Sequence, residues 1–490
     1  MRRHPLHREY FLWLLPLFFV LHGFVENYPA VPVGGALLLL LKYLAGLTVA
    51  TVIVYFLYRR NFRKASLFVF VAAFFYFFFG PFQDLLNQFL PGTIFTRYVF
   101  LLPLIVSFYV IAFVFFRKNQ FAWNKPVRFV NTALLLLIVV EALMLTGKIL
   151  NDRSEKRKVA QTFSPCDTCG TPDIFLVVAD EYAGHKPLLD NFHFDNSAFE
   201  NELTQRGFHV IPNTHSNYNF TIYSMASLFS MKYLQGVNNI ATDKKSLNIA
   251  YNAINDNATV DLLKSRGYVL KNLSYFGFAG QPALTTQSLL VNKEGLISSQ
   301  TLYSRLMRDL GYHLVTNLHI GPIVKWLTYV DLRNNELLLK KLDEELEQER
   351  DKPRFVYTHL MLPHYPYFKN SRGELNPIDS VKEGTQGKMH LYLEYLKYAN
   401  TVYLPVIDKI LKQSKKPPVI LFMSDHGFRE YPDGVDRAYQ FMNINAVYGV
   451  PDSLYSEGAA NINQMRVLFN NLFRQQFPKL KDSTIFQEKF

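Results

Sequence analysis

Pro418-Val419-Ile420-Leu421-Phe422-Met423-Ser424-Asp425-His426-Gly427 is the stretch on which the reading of this chain turns. An apolar, β-branched run that follows the turn-prone Lys415-Lys416-Pro417 predicts a buried strand of an α/β sheet. The strand stops abruptly at a carboxylate and an imidazole. Open α/β sheets bind ligands at the carboxyl ends of their strands, where side chains from several strands converge. Gly427 lets the backbone turn away at once. Locally, Asp425 capping a helix and His426 lying on the surface would explain the same residues. The choice depends on what else in the chain meets this strand end.

Asp173-Ile174-Phe175-Leu176-Val177-Val178-Ala179 repeats the pattern, and it too ends in carboxylates, Asp180 and Glu181. Further strands are expected at Phe208–Ile211, Tyr268–Ser274, Phe355–Met361 and Asn445–Val450. Helices are expected at Asn257–Arg266, Leu302–Leu314, Asn334–Glu349, His390–Lys412 and Asn463–Phe473. This alternation predicts an α/β domain with a largely parallel central sheet flanked by helices, over residues 173–490. The charged run Lys340–Arg350 reads as a solvated helix face. Residues 281–330 show no recognisable chemistry.

Residues 1–150 have a different composition. Apolar runs at Tyr10–Glu26, Gly35–Leu57, Ser66–Phe82, Tyr98–Phe116 and Phe129–Ile149 predict a transmembrane bundle of about five helices, the first and third being short for a span. Arg2, Arg3 and Arg8 precede the first run; Arg59, Arg60, Arg63 and Lys64 follow the second; Arg117, Lys118, Lys125 and Arg128 follow the fourth. By the positive-inside rule the N-terminus is cytoplasmic, and an odd number of spans puts the chain after Ile149 on the far side. Further spans and the lack of a small-residue cleavage site after the first run argue against a cleaved signal peptide. The spans are expected to lack paired ionisable residues in mid-membrane, with only Glu141 and His22 standing out, which argues against a transporter. The net charge of +12 partly reflects the cytoplasmic loops and so does not argue for nucleic-acid binding.

Residues 151–172 read as a polar linker that carries the only cysteines, Cys166 and Cys169. A C-x-x-C serves redox chemistry or half a zinc site in some settings. With no second pair, and in an oxidising compartment, a small structural disulfide loop is the preferred reading.

Two more stretches bring reactive groups to the edge of the predicted sheet. In Asn217-Tyr218-Asn219-Phe220-Thr221-Ile222-Tyr223-Ser224, Thr221 is placed to start a helix, either as a plain N-cap or as a nucleophile at the positive end of the helix dipole. In Tyr357-Thr358-His359-Leu360-Met361-Leu362-Pro363-His364, His364 follows a strand and suits substrate binding or proton transfer, whereas His359 is expected to be buried within the strand.

A strand ending in Asp180, a helix start at Thr221, His364 after a strand, and Asp425-His426 together resemble the alkaline phosphatase superfamily. Within it, the resemblance is to the membrane-anchored sulfatase-like transferases, such as lipoteichoic acid synthases and phosphoethanolamine transferases. It covers most of residues 173–450, and Thr221-Ile222-Tyr223-Ser224 matches the family's T-x-x-S. The resemblance implies Thr221 as nucleophile and Asp180, Thr221, Asp425 and His426 as metal ligands, with Glu181 as a further candidate for the same or a second metal. Three oxygens and one imidazole suit zinc or manganese; magnesium or calcium would prefer oxygen alone. The C/S-x-P-x-R signature of true sulfatases is missing, and Phe428-Arg429-Glu430-Tyr431 replaces the Glu-Ser-Leu-Gly-Glu that follows Asp-His-Gly in phosphoethanolamine transferases.

The expected function is therefore transfer of a headgroup, phosphoglycerol or phosphoethanolamine, from a membrane phospholipid donor to an envelope glycan or glycolipid acceptor. Thr221 would carry the group, His364 would move the proton and Arg429 would contact phosphate. The expected location is a bacterial-type cytoplasmic membrane, with the catalytic domain extracytoplasmic. A hydrolase with water as acceptor, or a catalytically silent envelope scaffold, are the alternatives.

Overall fold

Six short runs rich in β-branched and aromatic residues pair into one sheet: β1 (Ile174–Ala179), β2 (His209–Val210), β3 (Val269–Leu273), β4 (Arg354–Leu360), β5 (Val419–Met423) and β6 (Asn445–Tyr448), in the order β2-β6-β5-β1-β4-β3. The computed structural model describes residues 8–28, 31–120, 123–160, 163–285, 293–311, 328–381 and 388–488. Arg2 and Arg3, and the end of the helix expected at Leu302–Leu314, lie outside the described residues.

The described chain forms two compact units, Met1–Glu155 with Val291–Ile320, and Lys156–Leu290 with Gly321–Phe490. In the second unit β3, β4, β1 and β5 run parallel, while β6 and β2 form an antiparallel edge. The sheet is thus largely parallel, as expected, with an antiparallel margin that alternation alone does not reveal. Every residue of β1, β4 and β5 is buried, as strands covered on both faces require. Phe175, Val177 and Ala179 of β1 share one core with Tyr392, Tyr395, Ala399 and Tyr403 of the helix Met389–Gln413.

The first unit is built from the apolar helices Phe11–Glu26, Val33–Leu57, Phe62–Phe77, Phe79–Phe89, Tyr98–Lys118 and Asn124–Ala160. Three of them, Val33–Leu57, Tyr98–Lys118 and the Asn124–Asn151 part of the last, are long and apolar enough to cross a membrane. A fourth span forms if Phe62–Phe77 and Phe79–Phe89, bent by 54°, count as one. At 16 residues Phe11–Glu26 is about 24 Å long, short of a hydrocarbon core of about 30 Å.

Three features of this unit differ from the sequence reading. The helix Asn124–Ala160 runs on through the first part of the expected linker. Residues 291–320, read as part of the outer domain, belong to the first unit. Their contacts with the helices are specific. Arg305 forms a two-pronged ion pair with Asp84 at 2.8 and 2.6 Å, Gly80 N–H donates to Gln300 O at 2.8 Å, and Tyr98 O–H donates to Asp309 at 2.6 Å. Finally, His22 and Glu141 are paired after all, with Nδ1 and Oε1 2.7 Å apart.

Arg305→Ala removes a buried guanidinium from Asp84 and Gln300 and should cost about 1 to 2 kcal/mol locally. In the detergent-solubilised protein the expected result is faster protease cleavage within 293–311, with an unchanged cleavage pattern in the second unit.

Candidate metal and phosphoryl-transfer site

Parallel pairing sets the central feature. Val178 of β1 is registered with Met423 of β5, so Asp180 and Asp425, each two residues further on, leave neighbouring strands side by side. Asp180, Asp425 and His426 each offer a ligand atom, all within 4.8 Å of one another and all buried.

The loop after β5 is held from every side. Ser224 Oγ donates to Asp425 O at 2.6 Å, Asn461 Nδ2 to the carbonyls of Ser424 and Asp425 at 3.1 and 3.2 Å, and Ser424 Oγ to His426 O at 2.7 Å. Glu181 N–H donates to Asp425 Oδ1 at 3.0 Å, a direction obtained by placing Glu181 at a φ of 60°, in the left-handed region. Gly427 is required for a reason other than its turn. A Cβ there would lie 2.3 Å from Met442 O and 2.7 Å from Tyr439 O, so only glycine permits the close approach of that backbone.

Thr221 is the first residue of the helix Thr221–Ser230, whose N-cap is Phe220. Its hydroxyl therefore makes no cap and instead faces the cluster, 3.4 Å from Asp180 Oδ1 and 3.2 Å from His426 Nε2. His426 Nδ1–H donates to Gly427 O at 2.7 Å, which leaves the Nε2 lone pair facing Thr221 and Asp425 Oδ2, the latter 3.1 Å away. Asp425 Oδ2 is buried and accepts no hydrogen bond among the described residues.

This donor set fits a divalent cation. An orphaned carboxylate oxygen, a second carboxylate, an imidazole lone pair and a hydroxyl converge on one point, and oxygens with one nitrogen are the ligands that zinc and manganese accept.

The other expected residues form a second group. Glu181 turns its carboxylate away from the cluster: Oε1 accepts from Arg429 N–H at 3.0 Å and lies 3.4 Å from Arg429 Nε, while Oε2 is 3.7 Å from His364 Nε2. Arg429 Nη2 donates to His364 Nε2 at 3.0 Å, and its guanidinium sits 4.5 Å over the Phe220 ring. His364 Nδ1–H donates to the Tyr365 carbonyl. His364 is thus held as a neutral acceptor at Nε2, and Arg429 is engaged by protein groups. Burial opposes the charge on Arg429, yet Glu181 and Asp180 raise its pKa above the usual guanidinium value. Cys166 and Cys169 are joined by a disulfide.

Sequence reasoning missed Tyr275, which donates its hydroxyl proton to Asp180 Oδ2. Its position two residues past the carboxyl end of β3 was the available signal. His359 is buried in β4 as expected, but it also lies 3.4 Å from Asp180 Oδ2. Burial, then the charges of Asp180 and Asp425, push the Tyr275 hydroxyl well above the usual phenol range, so it remains a donor.

A hydroxyl at a helix start, set against a buried cluster of potential metal ligands on a parallel sheet, suits an enzyme acting on phosphoric or sulfuric esters. The sulfatase family profile matches residues 172–461, more than half of the chain, and the chain belongs to the sulfatase family. No curated protein matches it. Among solved structures it is similar to the C-terminal periplasmic domain of EptC from Escherichia coli, at 12% identity over 63% of this chain and 84% of that one, with a TM-score of 0.39. The corresponding domain of the phosphoethanolamine transferase EptC from Campylobacter jejuni gives 15% identity, 63% and 92% coverage, and a TM-score of 0.37. The integral membrane lipooligosaccharide phosphoethanolamine transferase EptA from Neisseria meningitidis gives 14%, 94% and 95%, and 0.37. The family assignment rests on the sequence match and not on these likenesses.

Gly427→Ala drives a Cβ into two backbone carbonyls and should displace Asp425 and His426. The expected outcome is about 1 to 3 kcal/mol of destabilisation, read as a lower Tm, together with loss of divalent-metal binding by equilibrium dialysis.

Proposed function

We propose that the protein moves a phospholipid-derived headgroup, phosphoglycerol or phosphoethanolamine, through Thr221 to a hydroxyl of an envelope glycan or glycolipid, on the outer side of a bacterial-type cytoplasmic membrane. The observation that carries this reading is the Thr221 hydroxyl, unused as a helix cap and aimed at Asp180 and His426.

Asp180, Asp425, His426 and Thr221 would hold a divalent ion, zinc or manganese by their donor chemistry. Such an ion supplies a lowered hydroxyl pKa and neutralises phosphoryl charge. In the first displacement Thr221 Oγ1, its proton lost to solvent, attacks phosphorus, the bond to the diacylglycerol oxygen breaks, and His364, which takes a proton from solvent once Arg429 leaves Nε2, gives that proton to the departing oxygen. In the second, the acceptor hydroxyl passes its proton to His364 Nε2 and attacks the phosphothreonine, and Thr221 Oγ1 leaves. Thr221 Oγ1 regains a proton as His364 releases one to solvent, so both end as they began. The lone pair now presented to Arg429 Nη2 is the one that takes the acceptor's proton, and in the occupied site Arg429 moves from it to the phosphoryl oxygens. The helix start at Thr221 adds backbone N–H groups and the positive end of the dipole for the same oxygens.

Intact and peptide mass of the full-length protein, incubated with phosphatidylglycerol or phosphatidylethanolamine, tests this reading. An adduct of phosphoglycerol or phosphoethanolamine mass is expected on the Thr221 peptide, absent from Thr221→Ala and after chelation. Thr221→Ala should also lower transfer by at least about a thousandfold. Absence of any adduct in the metal-loaded wild type would overturn covalent transfer, and headgroup release without an added acceptor would identify a hydrolase.

A further inference from the structure

The two oxygens of Asp180 have different neighbours. Oδ1 faces Thr221, whereas Oδ2 accepts from the hydroxyl of Tyr275, with His359 Nε2 3.4 Å away. Tyr275 O lies 2.8 Å from His359 Nε2, and His359 Nδ1 lies 2.8 Å from the Tyr357 hydroxyl. A phenol has one proton to give. Because a carboxylate only accepts, Tyr275 gives its proton to Asp180, and the link to His359 must be an Nε2–H donating to Tyr275 O. That leaves Nδ1 to accept from Tyr357 O–H. Every link then has one donor and one acceptor, running from Tyr357 through His359 and Tyr275 to Asp180.

The topology explains how the chain of bonds comes together. β3, β4 and β1 are adjacent parallel strands, so the residue beyond the end of β3, the end of β4 and the residue beyond β1 meet at one edge. Tyr357 and His359, two apart on β4, point to the same face. Tyr357 and His359 are fully buried, and the Tyr275 and His359 rings pack with centroids 4.7 Å apart. Such a network fixes more than the position of Asp180. It occupies one of the two oxygens by which a carboxylate chelates a cation.

We propose that Tyr275 is a positioning residue that keeps Asp180 a ligand through Oδ1 alone, so that a coordination position stays open for a phosphoryl oxygen of the substrate. His359 and Tyr357 keep Tyr275 aimed. This inference rests on the divalent-metal reading above. Catalytic metal sites need an open position, and a carboxylate released at Oδ2 can fill it by chelation.

The test uses the full-length protein in detergent, loaded with cobalt(II), as wild type and as Tyr275→Phe, which keeps the ring and removes the hydroxyl. Three quantities are read: the cobalt d–d absorption, cobalt affinity by competition with a chromophoric chelator, and kcat against KM for headgroup transfer. Tyr275→Phe is expected to bind cobalt at least as tightly as wild type, to show weaker d–d bands as coordination number rises, and to lose about 10- to 100-fold in kcat. His359→Gln, whose amide N–H still reaches Tyr275, should stay near the wild-type spectrum, and His359→Leu should follow Tyr275→Phe. This second pair also decides the matter if Tyr275→Phe does not fold. Unchanged spectra in Tyr275→Phe or His359→Leu, beside a wild type that takes up cobalt, overturn this inference alone. A wild type that takes up none overturns the metal reading and this inference with it.

Discussion

Two buried carboxylates set side by side by a parallel register are the constraint to which the rest of the catalytic unit answers. Asp180 and Asp425 offer oxygens within 4.8 Å of each other. At an effective dielectric of about 20, two such charges repel by about 3.5 kcal/mol, and burial adds a desolvation cost to each. A sheet edge carrying both is stable only if positive charge and hydrogen-bond donors surround it. The chain supplies them from separate elements: the Glu181 N–H on Asp425 Oδ1, the Tyr275 hydroxyl on Asp180 Oδ2, and imidazoles from β4, the following loop and the loop after β5. One oxygen, Asp425 Oδ2, is left without a hydrogen bond among the described residues, and it faces the Thr221 side of the cluster through His426 Nε2. A cation placed there would complete the charge balance.

Beside this cluster lies a second group with its own balance. Glu181, Arg429 and His364 satisfy one another, with Arg429 stacked on Phe220, the residue just before Thr221. The left-handed turn at Glu181 serves both groups, since its N–H goes to Asp425 while its carboxylate goes to Arg429.

Much of this was legible in the residues. The central strands β1, β4 and β5 could be read because parallel strands buried on both faces are near-continuous apolar runs, and because β1 and β5 run out at Asp180 and at Ser424-Asp425. What could not be read is the pairing across sequence distance. Whether Glu181 faces a metal or an arginine depends on a single backbone angle. Tyr275 looks like any aromatic residue at a strand end until β4 brings His359 to it. In the bundle, His22 and Glu141 lie 119 residues apart, and only helix packing reveals that they meet. The segment 291–320 was opaque for the same reason, since its sequence carries no sign that Arg305 belongs to Asp84.

The placement of Thr221 shows how far such support extends. The loop that delivers it is not held by the sheet alone. Asn217 accepts from Ile462 N–H through Oδ1 and from Ile485 N–H through its carbonyl, and its Nδ2 donates to Ser483 O. Asn219 accepts from Gln487 N–H and donates back to Gln487 O, while Asp425 O and Ser424 O are held by Asn461. Amide side chains suit this task because each presents a donor and an acceptor on one rigid plane, so one residue can pin two backbone strands. The family match ends at residue 461, yet the contacts that fix the loop before the nucleophile run on to Gln487. The loop that carries Thr221 is therefore held in part by Ser483, Ile485 and Gln487, which lie beyond the stretch that the family match covers.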